Sequence, residues 1–169
     1  MNCDNKKQAY PPRIVKIFLL THERELLRTS NTGALAASLV PEIIERIVWQ
    51  RNAPSEALLE AIRNEKTVLL YPLEHEATDT APITDFDNII VLDATWQEAR
   101  KIFNHSAYLK DLPRVELKPQ QISQYQLRRN QLDGGLCTAE CVIEILKLKN
   151  CNDIADRLEN AFTRFNLSV

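Results

Sequence analysis

Hydrophobic and polar positions alternate along the chain in blocks that predict strands and helices in turn. Three blocks are short, apolar and bounded by turn residues, as is typical of covered parallel strands: residues 14–20, 67–71 and 89–92. A shorter block from Arg114 to Leu117 alternates behind Pro113 and predicts a fourth strand. Between these strand segments, apolar residues recur at helical spacing. The pattern therefore predicts a single α/β domain with a mainly parallel sheet flanked by helices.

Helices are predicted from apolar spacing and from capping residues. The turn-rich segment Thr29 to Gly33 can cap a helix that begins near Gly33 or Ala34, and Thr138 can cap another. Pro41 in a first turn, followed by spaced isoleucines, predicts a helix to about Gln50. Three further helices are predicted: one from Ser55, one over 95–103 and one over 153–165.

The most informative segment is Asp93-Ala94-Thr95-Trp96, which directly follows the apolar run 89–92. It predicts a buried strand that delivers a carboxylate to a helix start, where Thr95 can act as the N-cap. Ligands of parallel α/β sheets bind at the carboxyl ends of strands, so Asp93 is a candidate site residue. Taken alone, the segment fits a plain cap with Trp96 in the core equally well.

Two more turns carry groups that can bind a ligand. The turn after the first strand could receive a carboxylate or phosphate; its polar residues are His22, Glu23, Arg24, Glu25, Arg28, Asn31, Thr32 and Gly33. The other turn has glycines that permit close backbone approach; it contains Arg128, Gly134, Gly135, Thr138 and Glu140. Each turn alone is weak evidence, because caps and turns are rich in these residue types. Three such turns in one domain predict a common cleft.

Composition narrows the class of protein. With 169 residues, 44% of them hydrophobic and 26% charged, residues 1–169 fit one globular domain. We expect a cytoplasmic protein with no membrane partner, because no apolar run suits a membrane span or a signal peptide. The net charge of −2 argues against nucleic-acid binding through bulk charge, but it allows a local basic patch. The oligomeric state is left open.

The four cysteines, at positions 3, 137, 141 and 151, predict free thiols rather than a disulfide framework. His22, His75 and His105 are scattered far from them in the sequence, so no set has the spacing of metal ligands. We therefore expect no metal ion.

In order and spacing, these motifs resemble the DTW-domain family, which includes bacterial tRNA-uridine aminocarboxypropyltransferases. The resemblance rests on His22-Glu23-Arg24-Glu25 through Arg28, on Asn31-Thr32-Gly33, on Asp93-Ala94-Thr95-Trp96 with Gln97-Glu98-Ala99-Arg100, on Leu112-Pro113-Arg114-Val115, and on Arg128 leading to Thr138-Ala139-Glu140. It covers residues 14–150 and implies a SPOUT-like fold with a trefoil knot. Many relatives carry N-terminal cysteines suited to zinc. Here only Cys3 precedes the first strand, so no zinc ribbon is expected.

The resemblance implies transfer of the 3-amino-3-carboxypropyl group of S-adenosyl-L-methionine to N3 of a uridine in tRNA, with release of methylthioadenosine. The residues implied are catalytic Asp93 and Thr95, donor-binding Arg28, Asn31, Thr32, Thr138 and Glu140, and RNA-binding Trp96, Arg100, Arg114 and Arg128. Uridine N3 keeps its proton at neutral pH, so a base is needed, and Asp93 is the first candidate. With equal weight, Asp93 instead holds the uracil edge or the substrate ammonium while water takes the proton.

Several roles stay open. Arg28 or Arg128 could bind the carboxylate of the transferred group. Trp96 either stacks on a base or fills the core, and its helical spacing favours the core. A favourable interaction with a helix dipole is enough to explain Glu140. The alternative functions are a SPOUT-type RNA methyltransferase and a non-catalytic RNA-binding module, while the lack of a GxxxxGK[ST] loop disfavours a nucleotide-binding structural protein.

Overall fold

The computed structural model describes residues 15–64, 66–73, 81–117 and 135–168. Its strands are β1 (Lys16–Thr21), β2 (Ile44–Val48), β3 (Thr67–Leu70), β4 (Asn88–Asp93) and β5 (Arg114–Val115). Its α-helices are α1 (Thr32–Leu39), α2 (Glu56–Asn64), α3 (Trp96–Asn104), α4 (Ala107–Lys110), α5 (Thr138–Leu148) and α6 (Asn152–Leu167). Short 3₁₀ turns cover Glu23–Glu25 and Ile83–Asp85. No helix in the described ranges is both long and apolar enough to cross a bilayer.

The strands in the described part of the chain form one parallel sheet of five strands in the order β2-β1-β4-β3-β5. The predicted α/β fold with a parallel sheet is therefore confirmed. β4 lies at the centre and pairs with β1 in a register that places Thr21 opposite Asp93. The trefoil knot stays a prediction, since residues 118–134 lie outside the described part.

Side chains of the central strands alternate between two apolar layers. Ile17 of β1 and Ile89 of β4 belong to a layer shared with α1, α5 and α6, which we call the first face. Phe18 and Ile90 belong to a layer shared with α2, α3 and α4, which we call the second face. Successive strand residues point to opposite sides, so Asp93, four positions after Ile89, falls on the first face.

The connections that follow the two central strands diverge. The chain leaves β1 for α1 on the first face, whereas it leaves the adjacent β4 for α3 on the second face. Neighbouring parallel strands with divergent connections leave a crevice between their carboxyl ends, and this is where ligands of α/β sheets bind. The His22 N–H donates to the Asp93 carbonyl at 3.1 Å and extends the β1–β4 ladder to the edge of this crevice.

The helix predicted over 41–50 is wrong, because this segment contains strand β2. Ile44 to Val48 pair in parallel with β1 at the edge of the sheet. Residues 43, 44, 47 and 48 are β-branched, which favours a pleated surface, although their spacing also fits a helix. The partner strand β1 decides between the two structures, and its position is not visible in local spacing.

The other predicted helices are confirmed as α1, α2, α3, α5 and α6, with ends shifted by a few residues. The four-residue helix α4 was not predicted, because one turn is too short to show a period. The predicted cap of α5 is wrong: Cys137 is the N-cap, and Thr138 is the first helical residue. The hydroxyl of Thr138 donates to Asp93 instead.

Candidate functional site

Asp93 ends β4 and is completely buried, with 0% of its surface exposed. Its Oδ1 accepts hydrogen bonds from Thr138 Oγ1 at 2.9 Å and Asn31 Nδ2 at 3.1 Å. Its Oδ2 accepts from Thr21 Oγ1 at 3.0 Å and from Arg46 Nη2 at 3.4 Å. We call Thr21, Asn31, Arg46, Asp93 and Thr138 the Asp93 cluster. Both carboxylate oxygens are thus satisfied by side chains of the protein itself.

Gly33 allows α1 to begin directly against this carboxylate. A Cβ atom at position 33 would lie 2.5 Å from Asp93 Oδ2 and 2.6 Å from its Cγ, well inside van der Waals contact. The requirement for glycine here is one of space, because any side chain would displace Asp93 from its donors.

Arg46 brings a positive charge to the buried carboxylate, with 21% of its side chain exposed. Its guanidinium also donates to Thr21 Oγ1 at 3.2 Å and to Asn31 Oδ1 at 3.1 Å. A carboxylate buried without a cation is strongly unfavourable, and Arg46 supplies a cation in direct contact with Asp93. Sequence reasoning missed Arg46 because the segment was predicted to be helical. The signal that could have found it is a basic residue in phase with Ile44 along a β-branched run.

Asn31 links the start of α1 to the two acidic groups beneath it. Its Oδ1 accepts the Ala34 N–H at 2.6 Å as an N-cap, which confirms the predicted capping turn. Its Nδ2 donates to Asp93 and also to Glu25 Oε2 at 2.9 Å. One amide therefore holds two carboxylates and the first turn of a helix in fixed positions.

The first turns of α1 and α5 lie next to each other above Asp93. The Thr32 hydroxyl accepts the Ala139 N–H at 3.1 Å, and the Thr138 hydroxyl donates to Asp93. Glu140 accepts the Cys137 N–H at 3.3 Å and so caps the start of α5. The predicted residues Asn31, Thr32 and Thr138 are therefore brought together with Asp93, and all are buried.

A second polar group adjoins the Asp93 cluster through Asn31 and joins the turn after β1 to α3. Arg28 Nη1 contacts Glu25 Oε1 at 2.7 Å, and its Nη2 lies 3.9 Å from Glu98 Oε1. Nδ1 of the buried His22 lies 3.9 Å from the same Glu98 oxygen and accepts the Arg24 N–H at 3.3 Å. We call His22, Glu25, Arg28 and Glu98 the His22 group. Arg28 keeps 44% of its side chain exposed.

Thr95 and Glu98 form a capping box at the start of α3, which confirms the predicted N-cap. Thr95 Oγ1 accepts the Glu98 N–H at 3.3 Å, and Glu98 Oε2 accepts the Thr95 N–H at 3.0 Å. Burial acts to raise the pKa of the Glu98 carboxyl, but the Thr95 hydrogen bonds and the neighbouring His22 and Arg28 outweigh it. The pKa of Glu98 consequently lies below its ordinary value.

Trp96 does not fill the core as its spacing suggested, since 37% of its surface is exposed. Its ring stacks on Tyr71 at a centroid distance of 5.7 Å, and Tyr71 stacks on Phe103 at 4.4 Å. The Arg114 guanidinium lies over Phe103 and Tyr71, 4.6 Å and 5.7 Å from their centroids. We call Trp96, Tyr71 and Phe103 the aromatic stack.

The remaining predicted residues divide between exposed and undescribed positions. Arg100 is exposed on α3, one turn after Trp96. Arg128 and Gly134 lie outside the described residues, as do Cys3 and His75. Among the residues that the structure covers, no group of three histidine, cysteine, aspartate or glutamate side chains is arranged to hold a metal ion.

Comparison with known proteins gives one family and several relatives. A family model described as the DTW domain matches residues 1–168. The chain is similar to proteins named tRNA-uridine aminocarboxypropyltransferase 2. The one from Macaca fascicularis is 27% identical over 153 residues, 86% of this chain and 51% of that protein. The one from Mus musculus is 29% identical over 150 residues, 80% of this chain and 49% of that protein.

The protein of that name from Drosophila melanogaster is 30% identical over 150 residues, which cover 81% of this chain and 58% of the relative. The chain thus spans about half the length of the curated relatives it matches. No solved structure matches it.

Proposed function

The chain belongs to the DTW-domain family, and from this premise we propose that it transfers the 3-amino-3-carboxypropyl group of S-adenosyl-L-methionine to N3 of a uridine in tRNA. The names of the relatives support the reaction class and the substrate. The structural observation that carries the proposal is the Asp93 cluster, which closes one side of the crevice between β1 and β4. We further propose a SPOUT-like knotted chain path and a cytoplasmic location.

The reaction must select one of the three carbons bonded to the sulfonium of the donor. Uridine N3 forms a bond to the methionine-chain carbon next to sulfur, while that carbon–sulfur bond breaks and its electron pair stays on sulfur. Methylthioadenosine leaves, and the N3 proton passes to a base. Selection depends on holding N3 in line with the correct bond, so the main task of the protein is positioning.

We assign Asp93 a positioning role in this reaction. A substrate that met the carboxylate would first have to displace one of its four side-chain donors. One of these donors is the Arg46 guanidinium, which already occupies Oδ2 together with Thr21. In this role Asp93 fixes the ends of β1 and β4 and the starts of α1 and α5 as one wall of the crevice. Direct proton transfer to Asp93 is the alternative, and the stability and turnover of an Asp93→Asn variant separate the two.

The His22 group suits the charged end of the donor, which carries a carboxylate and an ammonium. Arg28 is partly exposed and can offer two N–H donors to a carboxylate. Glu25 and Glu98 lie beside Arg28 and can attract an ammonium. Thr95 orients Glu98 through the capping box, so we propose that Thr95 acts by positioning as well.

We propose that the residues at the starts of α1 and α5 contribute to donor binding indirectly, because they fix the positions of these two helices. The side chains of Asn31, Thr32 and Thr138 are engaged in links between helices. We propose that these links set the shape of the crevice in which the donor lies, with Glu140 holding the start of α5. We also propose that Arg128 binds RNA, and this assignment rests on the family resemblance alone.

Nucleoside mass spectrometry tests the proposal. The purified protein is incubated with S-adenosyl-L-methionine and unmodified tRNA, and the RNA is digested to nucleosides. A uridine carrying the added aminocarboxypropyl mass, together with methylthioadenosine, is expected. A methylated uridine with S-adenosylhomocysteine would identify a methyltransferase instead, and RNA binding with neither product would identify a binding module. Leu148→Ala, at an exposed apolar residue at the end of α5, is the matched control and should keep activity.

A further inference from the structure

We infer that the aromatic stack is a platform on which the acceptor uracil lies, with Trp96 in contact with the base and Arg100 facing a neighbouring phosphate of the RNA. The inference rests on the proposed function, because it names the part of the molecule that receives one of the two substrates.

The rings below Trp96 hold it in one orientation. Tyr71 and Phe103 are nearly parallel, with 16° between their planes, and Trp96 continues the stack at 25° to Tyr71. Phe103 is buried, and Arg114 lies over the lower rings. A side chain that is already ordered loses little freedom when a ligand stacks on it, which favours binding.

The exposure of Trp96 is unlike that of the other tryptophan. Trp49 is 9% exposed, and its indole N–H donates to Ser106 at 2.9 Å, as is usual for a packed tryptophan. Trp96 instead presents a large apolar ring to water at the first residue of α3, three positions after Asp93. Exposed aromatic rings with cations nearby are typical of surfaces that bind nucleic-acid bases.

The surroundings favour the acceptor base over the adenine of the donor. Arg100 follows Trp96 by four residues on α3, so both side chains lie on the same side of the helix. A ring that stacks on a base, next to a guanidinium that pairs with a phosphate, suits a nucleotide of RNA. The donor contains one base, adenine, and no phosphate, whereas every nucleotide of tRNA has both a base and a phosphate.

Separate binding measurements for the two substrates test the platform. The affinity for unmodified tRNA is measured by fluorescence anisotropy, and the affinity for S-adenosyl-L-methionine is measured by calorimetry. Trp96→Ala should weaken tRNA binding about tenfold or more, as expected for loss of one base–aromatic stack. Trp96→Phe should restore most of this loss, and donor affinity should not change in either variant. Leu148→Ala again serves as the control.

A second variant keeps the test independent of any effect on folding. Arg100→Gln removes one exposed cation and should reduce the salt dependence of tRNA binding by about one counterion, with donor affinity unchanged. Weaker donor binding with unchanged tRNA binding in Trp96→Ala would overturn the inference and assign the platform to adenine. Unchanged affinity for both substrates would overturn it too. Because binding is measured without turnover, a wild-type protein that binds tRNA but forms no product would reject only the proposed reaction.

Discussion

Thr21 and Asp93 are direct partners across the β1–β4 ladder, and the Thr21 hydroxyl donates to Asp93 Oδ2 at 3.0 Å. The last residues of the two central strands are thus joined through their side chains as well as through the sheet. This pair sets the position of the carboxylate that Asn31, Arg46 and Thr138 then surround.

Asp93→Asn is expected to lower both stability and turnover. The amide that replaces one carboxylate oxygen would face N–H and O–H donors, so at least one buried donor would lose its acceptor. We expect the free energy of unfolding to fall by about 2 to 4 kcal/mol, measured by denaturant titration. If Asp93 were only a proton acceptor, turnover would vanish while stability stayed at the wild-type level.

Arg46→Met is expected to destabilise the protein at neutral pH by about 3 kcal/mol, because it leaves a buried carboxylate without its cation. Arg46→Met should lower the free energy of unfolding by less when Asp93→Asn is also present, because the two side chains are in contact. Denaturant titration of both single variants and the double variant measures this coupling. Arg63→Met, in an exposed pair with Glu56, is the matched control and should cost less than about 1 kcal/mol. Additive effects of the two cluster substitutions would contradict the assigned contact.

Gly33→Ala should destabilise the protein, although a glycine-to-alanine change in a helix usually stabilises it. Alanine ordinarily stabilises a helix by about 1 kcal/mol relative to glycine. Here the new Cβ would overlap the Asp93 carboxylate, so we expect destabilisation of about 1 to 3 kcal/mol and a lower melting temperature. Ser38→Ala, at an exposed position of the same helix, should change stability by less than about 0.5 kcal/mol. A Gly33→Ala protein that melts at or above the wild-type temperature would refute the close approach.

Glu98 should make stability depend on pH in the acid range. Its pKa in the folded protein lies below the ordinary value of 4.5, so its contribution is fully present above that value and is lost as the pH falls through the lower folded pKa. Glu98→Gln should therefore be less stable than the wild type at neutral pH, and the gap should narrow in acid. Unfolding free energies of both proteins along a pH series give the comparison. A gap that stays constant with pH would mean that the carboxylate charge has no part in stability.

Cys137 should resist alkylation in the native protein. Burial raises the pKa of its thiol to about 12, and the nearby Glu140 carboxylate adds to the effect. The reactive thiolate is therefore scarce at about pH 8. Cys141 and Cys151, which form no disulfide and are only partly buried, should react first with iodoacetamide, and Cys137 only after denaturation. Peptide mass spectrometry follows the three sites, and rapid native labelling of Cys137 would contradict its placement.

Much of the fold and part of the site could be predicted from the sequence. The apolar run before Asp93 and the capping residues Asn31 and Thr95 are local signals, and the structure has a strand and two helix starts there. Convergence of the turns after β1 and β4 follows from the rule for strand ends in parallel sheets. The start of α5 joins them through contacts that only the structure shows.

The missed features depend on contacts between distant parts of the chain. The spacing of Ile43, Ile44, Ile47 and Val48 suits a helix or a strand, and only pairing with β1 selects the strand. Arg46 could not be placed while its segment was predicted as helical. Thr138 suits a cap, but its bond to Asp93 leaves Cys137 as the N-cap. Trp96 has the spacing of an inward residue, yet Tyr71 supports it at the surface.

The Asp93 cluster draws its members from remote stretches of the polypeptide, with Thr21 lying 72 residues before the aspartate and Thr138 lying 45 residues after it. Contacts between such distant segments form late and cooperatively when a protein folds. The crevice is consequently complete only once the whole domain has assembled, and an unfinished chain that ends before α5 would lack part of its wall. The proposed transfer activity should therefore return in a single step with global folding during refolding from denaturant.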